Sequence, residues 1–145
     1  MKKLLFALLF SFVSYGAMAQ SAGSVTVRNY TGCWVYYSIM GGPGCSVNIV
    51  SNVIALAPGG SINYPSAASI PGFPPGGNNI NAGNFYYKPP SCTNIQVWGV
   101  GIACTGMLAS WTYLLYGANC AACANVTASW TPPATTGGTA LYAFN

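Results

Sequence analysis

The stretch from Ser24 to Met40 constrains the fold of this chain more than any other part of its sequence. Apolar and polar side chains alternate up to Asn29, and the alternation resumes at Cys33. A period of two residues is typical of a half-buried β-strand, because successive side chains point to opposite faces of a sheet. An Asn-Tyr-Thr-Gly turn separates the two runs. The sequence therefore predicts a β-hairpin whose second strand begins at Cys33.

Further short runs of this kind follow, and none has the 3.6-residue period of an amphipathic helix. They comprise a second hairpin at 54–64 and strands at 85–88, 94–104, 107–116, 126–130 and 139–144. The run 94–104 is apolar on both faces, which predicts a central strand covered on each side. Together the runs predict an all-β single domain, either an antiparallel β-sandwich or a partly open barrel.

Residues 65–84 break this pattern, because they are crowded with Pro, Gly and Asn. Such a composition predicts a long loop. Long loops inside a compact domain are often functional. The alternative is a packed connection that binds nothing.

The first nineteen residues have the features of an export signal. Lys2 and Lys3 precede an apolar run from Leu4 to Val13, and Ala17–Ala19 forms a cleavage site. The apolar run is too short to span a membrane. We expect residues 1–19 to be removed and residues 20–145 to form the exported domain, located outside the cell, on its surface or in a periplasm.

All the cysteines lie in the exported part, at Cys33, Cys45, Cys92, Cys104, Cys120 and Cys123. An even number in an exported chain predicts disulfides with no free thiol. A twelve-residue step from Cys33 to Cys45 recurs from Cys92 to Cys104, which indicates either two similar stapled hairpins or a coincidence. We expect Cys33–Cys45 to be one of the bridges. Cys120 and Cys123 form a C-x-x-C motif, which elsewhere serves redox exchange or half of a zinc site. Export favours structural disulfides over both roles.

The exported part carries only two charged side chains, Arg28 and Lys88, and the chain has no Asp, Glu or His. Two cations are too few for a nucleic-acid interface. General acid–base catalysis normally needs His, Asp or Glu, so we expect no enzymatic activity and no cofactor. A net charge near zero favours self-association.

Residues 95–118 contain no charge and are long enough to raise the question of a membrane span. Glycines at positions 99, 101 and 106 fit a turn between strands better than a helix. No Lys or Arg flanks the segment as an interfacial anchor. The sequence therefore predicts a buried β-hairpin here and not membrane insertion.

Aromatic side chains are the best candidates for a binding surface, because Tyr and Trp combine an apolar face with a hydrogen-bonding edge. The candidate ligand-binding residues are Trp34, Tyr36, Tyr86, Tyr87 and Trp98. A wider set adds Trp111, Tyr113, Tyr116 and Trp130. With the Asn-rich loops they predict a non-catalytic, surface-associated module for an uncharged ligand such as a glycan. The alternatives are that the aromatics fill the core, and that the protein assembles into a matrix or fibre through exposed strand edges.

A V-x-V-x-N-x-T pattern at 25–31 and an A-P-G-G-S turn at 57–61 resemble small exported β-sandwich proteins, thaumatin-like proteins among them. The resemblance implies an exported β-sandwich. The acidic cleft of thaumatin-like proteins cannot form in a chain without Asp or Glu, so the resemblance assigns no functional residue.

Overall fold

The computed structural model describes residues 20–76 and 78–145, so the predicted signal at 1–19 lies outside the described residues. Within these ranges ten strands form two sheets. The strands are β1 (Ser24–Asn29), β2 (Val35–Gly42), β3 (Ile49–Val50), β4 (Ile54–Leu56), β5 (Ser61–Tyr64), β6 (Asn79–Tyr86), β7 (Val97–Gly101), β8 (Ser110–Tyr116), β9 (Ala122–Thr131) and β10 (Thr139–Phe144). Two short 3-10 turns lie at Ala67–Ser69 and Ala103–Thr105.

The two sheets form a sandwich around one apolar core. Sheet I has the strand order β5-β1-β10-β9-β8, and sheet II the order β3-β2-β6-β7, with β4 also pairing with β2. Core aromatics meet from both sheets: the ring of Tyr37 in sheet II lies edge-on to Tyr142 in sheet I, with ring centroids 5.9 Å apart. The predicted all-β sandwich is confirmed. The sheets do not close into a barrel.

One strand pair departs from the antiparallel pattern. β1 and β10 are parallel, with Ser24 in register with Thr139 and Asn29 with Phe144. The first and the last strand of the domain are therefore neighbours in the middle of sheet I.

The predicted hairpin over 24–40 is wrong, because β1 lies in sheet I and β2 in sheet II. The buried Asn29 side chain explains the crossover. Its amide nitrogen donates to the carbonyls of Cys33 and Ala57 at 2.8 and 2.9 Å. Its oxygen accepts the backbone N–H and the hydroxyl of Thr31. This polar cluster satisfies the backbone where the chain leaves one sheet for the other.

The second predicted hairpin, at 54–64, is wrong for the same reason. β4 pairs with β2 in sheet II, and β5 pairs with β1 in sheet I. The turn between them is tight, since the backbone N–H of Gly60 donates to the carbonyl of Ala57 at 2.9 Å. The predicted turn is therefore present, but it joins the two layers of the sandwich.

The predicted hairpin over 95–118 is also wrong, since β7 belongs to sheet II and β8 to sheet I. Nor is 94–104 a central strand: β7 lies at the edge of sheet II, with Val97 and Trp98 exposed. The glycines of β7 leave room for neighbouring side chains. Met40 and Met107, for example, lie beside Gly99. Among the described residues there is no helix with the length and apolarity needed to cross a membrane.

The predicted loop at 65–84 is correct only in its first part, because β6 begins at Asn79 and lies inside sheet II. The glycine in β6 is used for packing: Gly83 lies beneath the buried ring of Tyr142. Strands at 126–130 and 139–144 are confirmed, within β9 and β10.

Three disulfides join elements that are distant in sequence: Cys33–Cys123, Cys45–Cys104 and Cys92–Cys120. The expected Cys33–Cys45 bridge is therefore wrong, as is the idea of two similar stapled hairpins. Crossing between sheets after β1 carries Cys33 to the start of β9, away from Cys45. All six cysteines are bonded and none is free, which confirms structural disulfides.

Candidate binding site

Exposed apolar side chains gather along one side of the sandwich, where β7 at the edge of sheet II faces β8 at the edge of sheet I. We call this surface the side groove. Of the large exposed apolar residues on these two strands and the segments flanking them, Trp98, Leu108 and Leu114 line the groove. Ile95 and Val97 are exposed beside it. Grouping of this kind on a soluble domain indicates an interaction site more strongly than scattered exposed residues do.

An aromatic ladder runs from the core out to this groove. Phe85 is fully buried and stacks on Tyr113, with ring centroids 4.4 Å apart. Tyr113 stacks in turn on Tyr87 at 4.9 Å. The indole N–H of Trp111 donates to the Tyr87 hydroxyl at 3.0 Å. Trp111 finally stacks on Trp98, with centroids 5.5 Å apart.

The strand register explains why the ladder reaches the surface. Trp98 is in register with Phe85, so both side chains lie on the inner face of sheet II. Trp111 is in register with the buried Ala128 of sheet I. Both indoles therefore point inward, but from edge strands, where the core ends. One face of Trp98 lies on Trp111, and 53% of the residue remains exposed.

The side groove contains two shallow pockets. The tryptophan pocket, of about 320 Å³, is lined by Trp98, Gly99, Gly106, Met107, Leu108 and Trp111. The tyrosine pocket, of about 310 Å³, is lined by Tyr87, Lys88, Asn94, Gln96, Leu114 and Tyr116. The first is apolar, and the second adds two amide groups and an ammonium.

The Cys92–Cys120 disulfide fixes the tyrosine-pocket end of the groove. Cys92 belongs to the connection between β6 and β7, and Cys120 to the turn between β8 and β9. A backbone hydrogen bond from the N–H of Tyr116 to the carbonyl of Tyr87, at 2.8 Å, adds a second link between the sheets. The groove walls are therefore held at a set separation.

The groove contains no Asp, Glu or His, because the chain has none. Burial raises the pKa of Tyr113 far above its usual value, and the nearby Tyr87 raises it further. Its hydroxyl is buried and has no hydrogen-bond partner among the described residues. Tyr113 therefore stays neutral at physiological pH and serves packing.

The structure divides the sequence-predicted aromatics between two surfaces. Tyr87 and Trp98 lie in the side groove. Tyr36 and Tyr86 are half-buried on the outer face of sheet II, since their strand neighbours Tyr37 and Phe85 point into the core. Trp34, 47% exposed, precedes β2 and lines neither groove pocket. The five candidates therefore do not form one site.

Several groove residues are missing from the sequence-based candidates. Trp111 belongs only to the wider set of aromatics, and Met107, Asn94 and Gln96 belong to neither set. No local signal pairs Trp111 with Trp98, because the two lie in different sheets. Lys88 could have been singled out from the sequence, because it is one of two charged side chains in the exported part.

The Asn-rich segment contributes to stability more than to this groove. The amide groups of Asn79 and Asn81 donate to the Gly44 carbonyl at 3.2 and 2.8 Å. Asn78 lines a separate cavity of about 290 Å³ with small residues around it. The groove takes its amides from Asn94 and Gln96 instead.

The C-x-x-C motif is divided between two bridges, since Cys120 bonds Cys92 and Cys123 bonds Cys33. Neither the redox pair nor the half zinc site is therefore formed. No group of three or more His, Cys, Asp or Glu able to hold a metal occurs in the described ranges.

Comparison of the chain with protein-family models, curated proteins and solved structures finds no match. What the side groove can do follows from its own chemistry: flat aromatic faces, two amides, one cation and rigid walls.

Proposed function

We propose that this protein is an exported, non-catalytic binding module that holds a glycan in the side groove. The observation that carries the proposal is Trp98, which is stacked on Trp111 and presents its other face to solvent beside an apolar pocket. Binding sites typically combine aromatic walls with a few polar groups that fix the ligand's orientation.

Sugar rings match both parts of the groove. The C–H face of a pyranose is apolar and flat, and it stacks on an exposed indole. The amides of Asn94 and Gln96 line the adjoining pocket and can each donate to and accept from sugar hydroxyls. Trp98 is already held by its stack on Trp111. Little side-chain entropy is therefore lost when a ligand binds.

A binding role also agrees with the composition. Hydrolysis of a glycan normally uses two carboxylates, and the chain has no Asp or Glu. The three disulfides indicate an oxidising environment, extracellular or periplasmic. We propose that the predicted signal at 1–19 delivers the domain there and that it acts at the cell surface.

Self-assembly is the second candidate function. β7 is an edge strand, and it carries the exposed Val97 and Trp98 on a domain with only two charged side chains. Unprotected apolar edges promote pairing between copies. Light scattering of the oxidised domain over a range of concentrations separates the two: growth in size with concentration supports assembly, and a constant monomer supports the binding module.

The binding proposal is tested with the oxidised domain on a glycan array, followed by calorimetry on the best glycan. We expect Trp98→Ala to weaken binding about thirtyfold, corresponding to roughly 2 kcal/mol for a stacked tryptophan. Trp34→Ala is the matched control, since it removes an indole of similar exposure outside both groove pockets, and should change the affinity less than about twofold.

Two results would overturn the side groove as the site. One is unchanged affinity in folded Trp98→Ala, and the other is a larger loss in Trp34→Ala, which would move the site to the outer face of sheet II. Thermal unfolding of both variants verifies that each is folded.

A further inference from the structure

We infer that the glycan bound in the side groove carries an anionic substituent, which binds at Lys88 beside the ring that stacks on Trp98. The inference rests on the proposed function and narrows its ligand class to acidic glycans, such as those that contain uronic acids. It departs in this from the uncharged ligand that the sequence predicts.

The position of Lys88 is the first observation. The residue is half-buried, and its ammonium lies 4.8 Å from the centroid of the Tyr116 ring. It lines the tyrosine pocket with the amides of Asn94 and Gln96. The chain on either side is fixed, because Tyr87 donates its backbone N–H to the Gln96 carbonyl at 3.0 Å and Pro89 is buried. Lys88 is therefore placed at the pocket by an ordered segment of the chain.

The lack of a counter-charge is the second observation. The sequence contains no Asp or Glu, so no side-chain carboxylate can pair with Lys88. The other cation of the exported part, Arg28, lies on β1 in sheet I and donates to the Tyr30 hydroxyl at 3.0 Å. An anionic group of the ligand can therefore supply the counter-charge that the side chains of the protein do not provide.

The spacing of the two pockets is the third observation. Gln96 lines the tyrosine pocket and Trp98 the tryptophan pocket, on the same face of one extended segment. Alternate positions on such a segment are about 7 Å apart. The two pockets therefore adjoin each other, so a saccharide chain with a ring on Trp98 can reach Lys88 as well.

The chemistry of the pocket fits a carboxylate. An ammonium is a compact charge with three donors, and each amide supplies two more. Sulfate and phosphate esters present similar oxygen acceptors. The experiment therefore compares the affinities for carboxylate, sulfate and phosphate ligands to identify the anion. Uronate, sulfated and phosphorylated oligosaccharides form the three arms.

The test uses an array on which each acidic oligosaccharide is printed beside its uncharged form, the uronates after carboxyl reduction and the esters after desulfation or dephosphorylation. Calorimetry then gives the affinity for both members of the best pair. We expect the wild-type domain to bind the acidic member about tenfold more tightly, because a charge-assisted hydrogen bond is stronger than a neutral one.

Lys88→Met should remove this preference, so that the two members of the pair bind with equal affinity to within about twofold. Lys88→Arg should retain it, since the charge is kept. Arg28→Met is the matched control: it removes the other cation and should leave the preference unchanged. The preference should also weaken as salt is added, both in the wild type and in Arg28→Met.

Equal affinity of the wild type for both members of every pair would overturn the inference and leave the proposed function standing. A preference that survives in Lys88→Met would overturn it too. If no glycan of either kind binds, the proposed function fails together with the inference.

Discussion

At the scale of single residues, Gly83 is a position where a side chain of sheet I packs directly onto the backbone of sheet II. This residue lies in the middle of β6, between Ile39 and Val100 in register, and the fully buried ring of Tyr142 covers it from sheet I. A Cβ atom here would overlap the Tyr142 ring. The ring cannot move away, because Phe144 packs on it at 4.7 Å between centroids. Gly83 therefore sets how closely the layers pack.

We predict that Gly83→Ala lowers the free energy of unfolding by about 2 kcal/mol, the usual cost of overpacking a dense core. Gly32→Ala is the control, since that glycine is exposed and a Cβ there would meet nothing within 4 Å. Its effect should stay within about 0.5 kcal/mol. Guanidinium unfolding of the oxidised domain measures both, and equal values for the two variants would contradict this account of Gly83.

At the scale of elements, strands could be predicted from the sequence but their partners could not. Alternation located β9 and β10, because period-2 patterning is a local property. The sequence predicts a hairpin at three turns, but each of these turns joins a strand of one sheet to a strand of the other. In the first, the direction of the chain depends on Asn29, which holds the carbonyl of Ala57, a residue distant in sequence.

For the candidate site too, individual residues are predictable from the sequence but their contacts are not. Trp98 and Tyr87 are predicted as candidates from residue type alone, since Tyr and Trp combine an apolar face with a hydrogen-bonding edge. The edge position of Trp98 is not predicted, because the sequence indicates a central strand there. The stack of Trp98 on Trp111 was not predictable, because it depends on which edge strands of the two sheets face each other.

The disulfides give a prediction at this scale. In the chain-entropy model a bridge stabilises more when it closes a longer loop. Cys33–Cys123 spans 90 residues and Cys92–Cys120 spans 28. Replacing both cysteines of a bridge by Ala should cost about 4.5 kcal/mol for the first and about 3.5 kcal/mol for the second. Denaturant unfolding checks the order, and peptide mapping without reduction checks the pairs; a peptide linking Cys33 to Cys45 would contradict the fold.

At the scale of the whole molecule, the unusual charge content determines how stability depends on pH. Between about pH 4 and pH 8 the groups that normally titrate are Asp, Glu and His, and the chain has none. The cysteines are bonded and do not titrate. The buried tyrosines Tyr37, Tyr113 and Tyr142 have pKa values raised by burial, so the folded protein holds their protons beyond the usual range.

We therefore predict a flat melting temperature from about pH 4 to pH 8 and a loss of stability above about pH 10. Above that pH an unfolded tyrosine releases its proton while the folded one keeps it, so stability falls as pH rises. Each of the three tyrosines contributes up to about 1.4 kcal/mol per pH unit. Calorimetry covers the lower range, and tyrosinate absorbance during denaturant unfolding covers the upper. A shift above about 5 °C between pH 4 and pH 8 would contradict the prediction, because it requires a group that titrates in that range.

The parallel pairing of β1 with β10 determines the order in which the protein can be completed. Ser24 is in register with Thr139, so in a chain delivered N-terminus first, by a ribosome or through a pore, this edge of β1 has no partner until β10 arrives. β9 also lacks that neighbour, and the core lacks the rings of Tyr142 and Phe144. Such long-range closure makes folding slow. Sheet I, and with it the sandwich, is therefore complete only after residues 139–144 have been delivered.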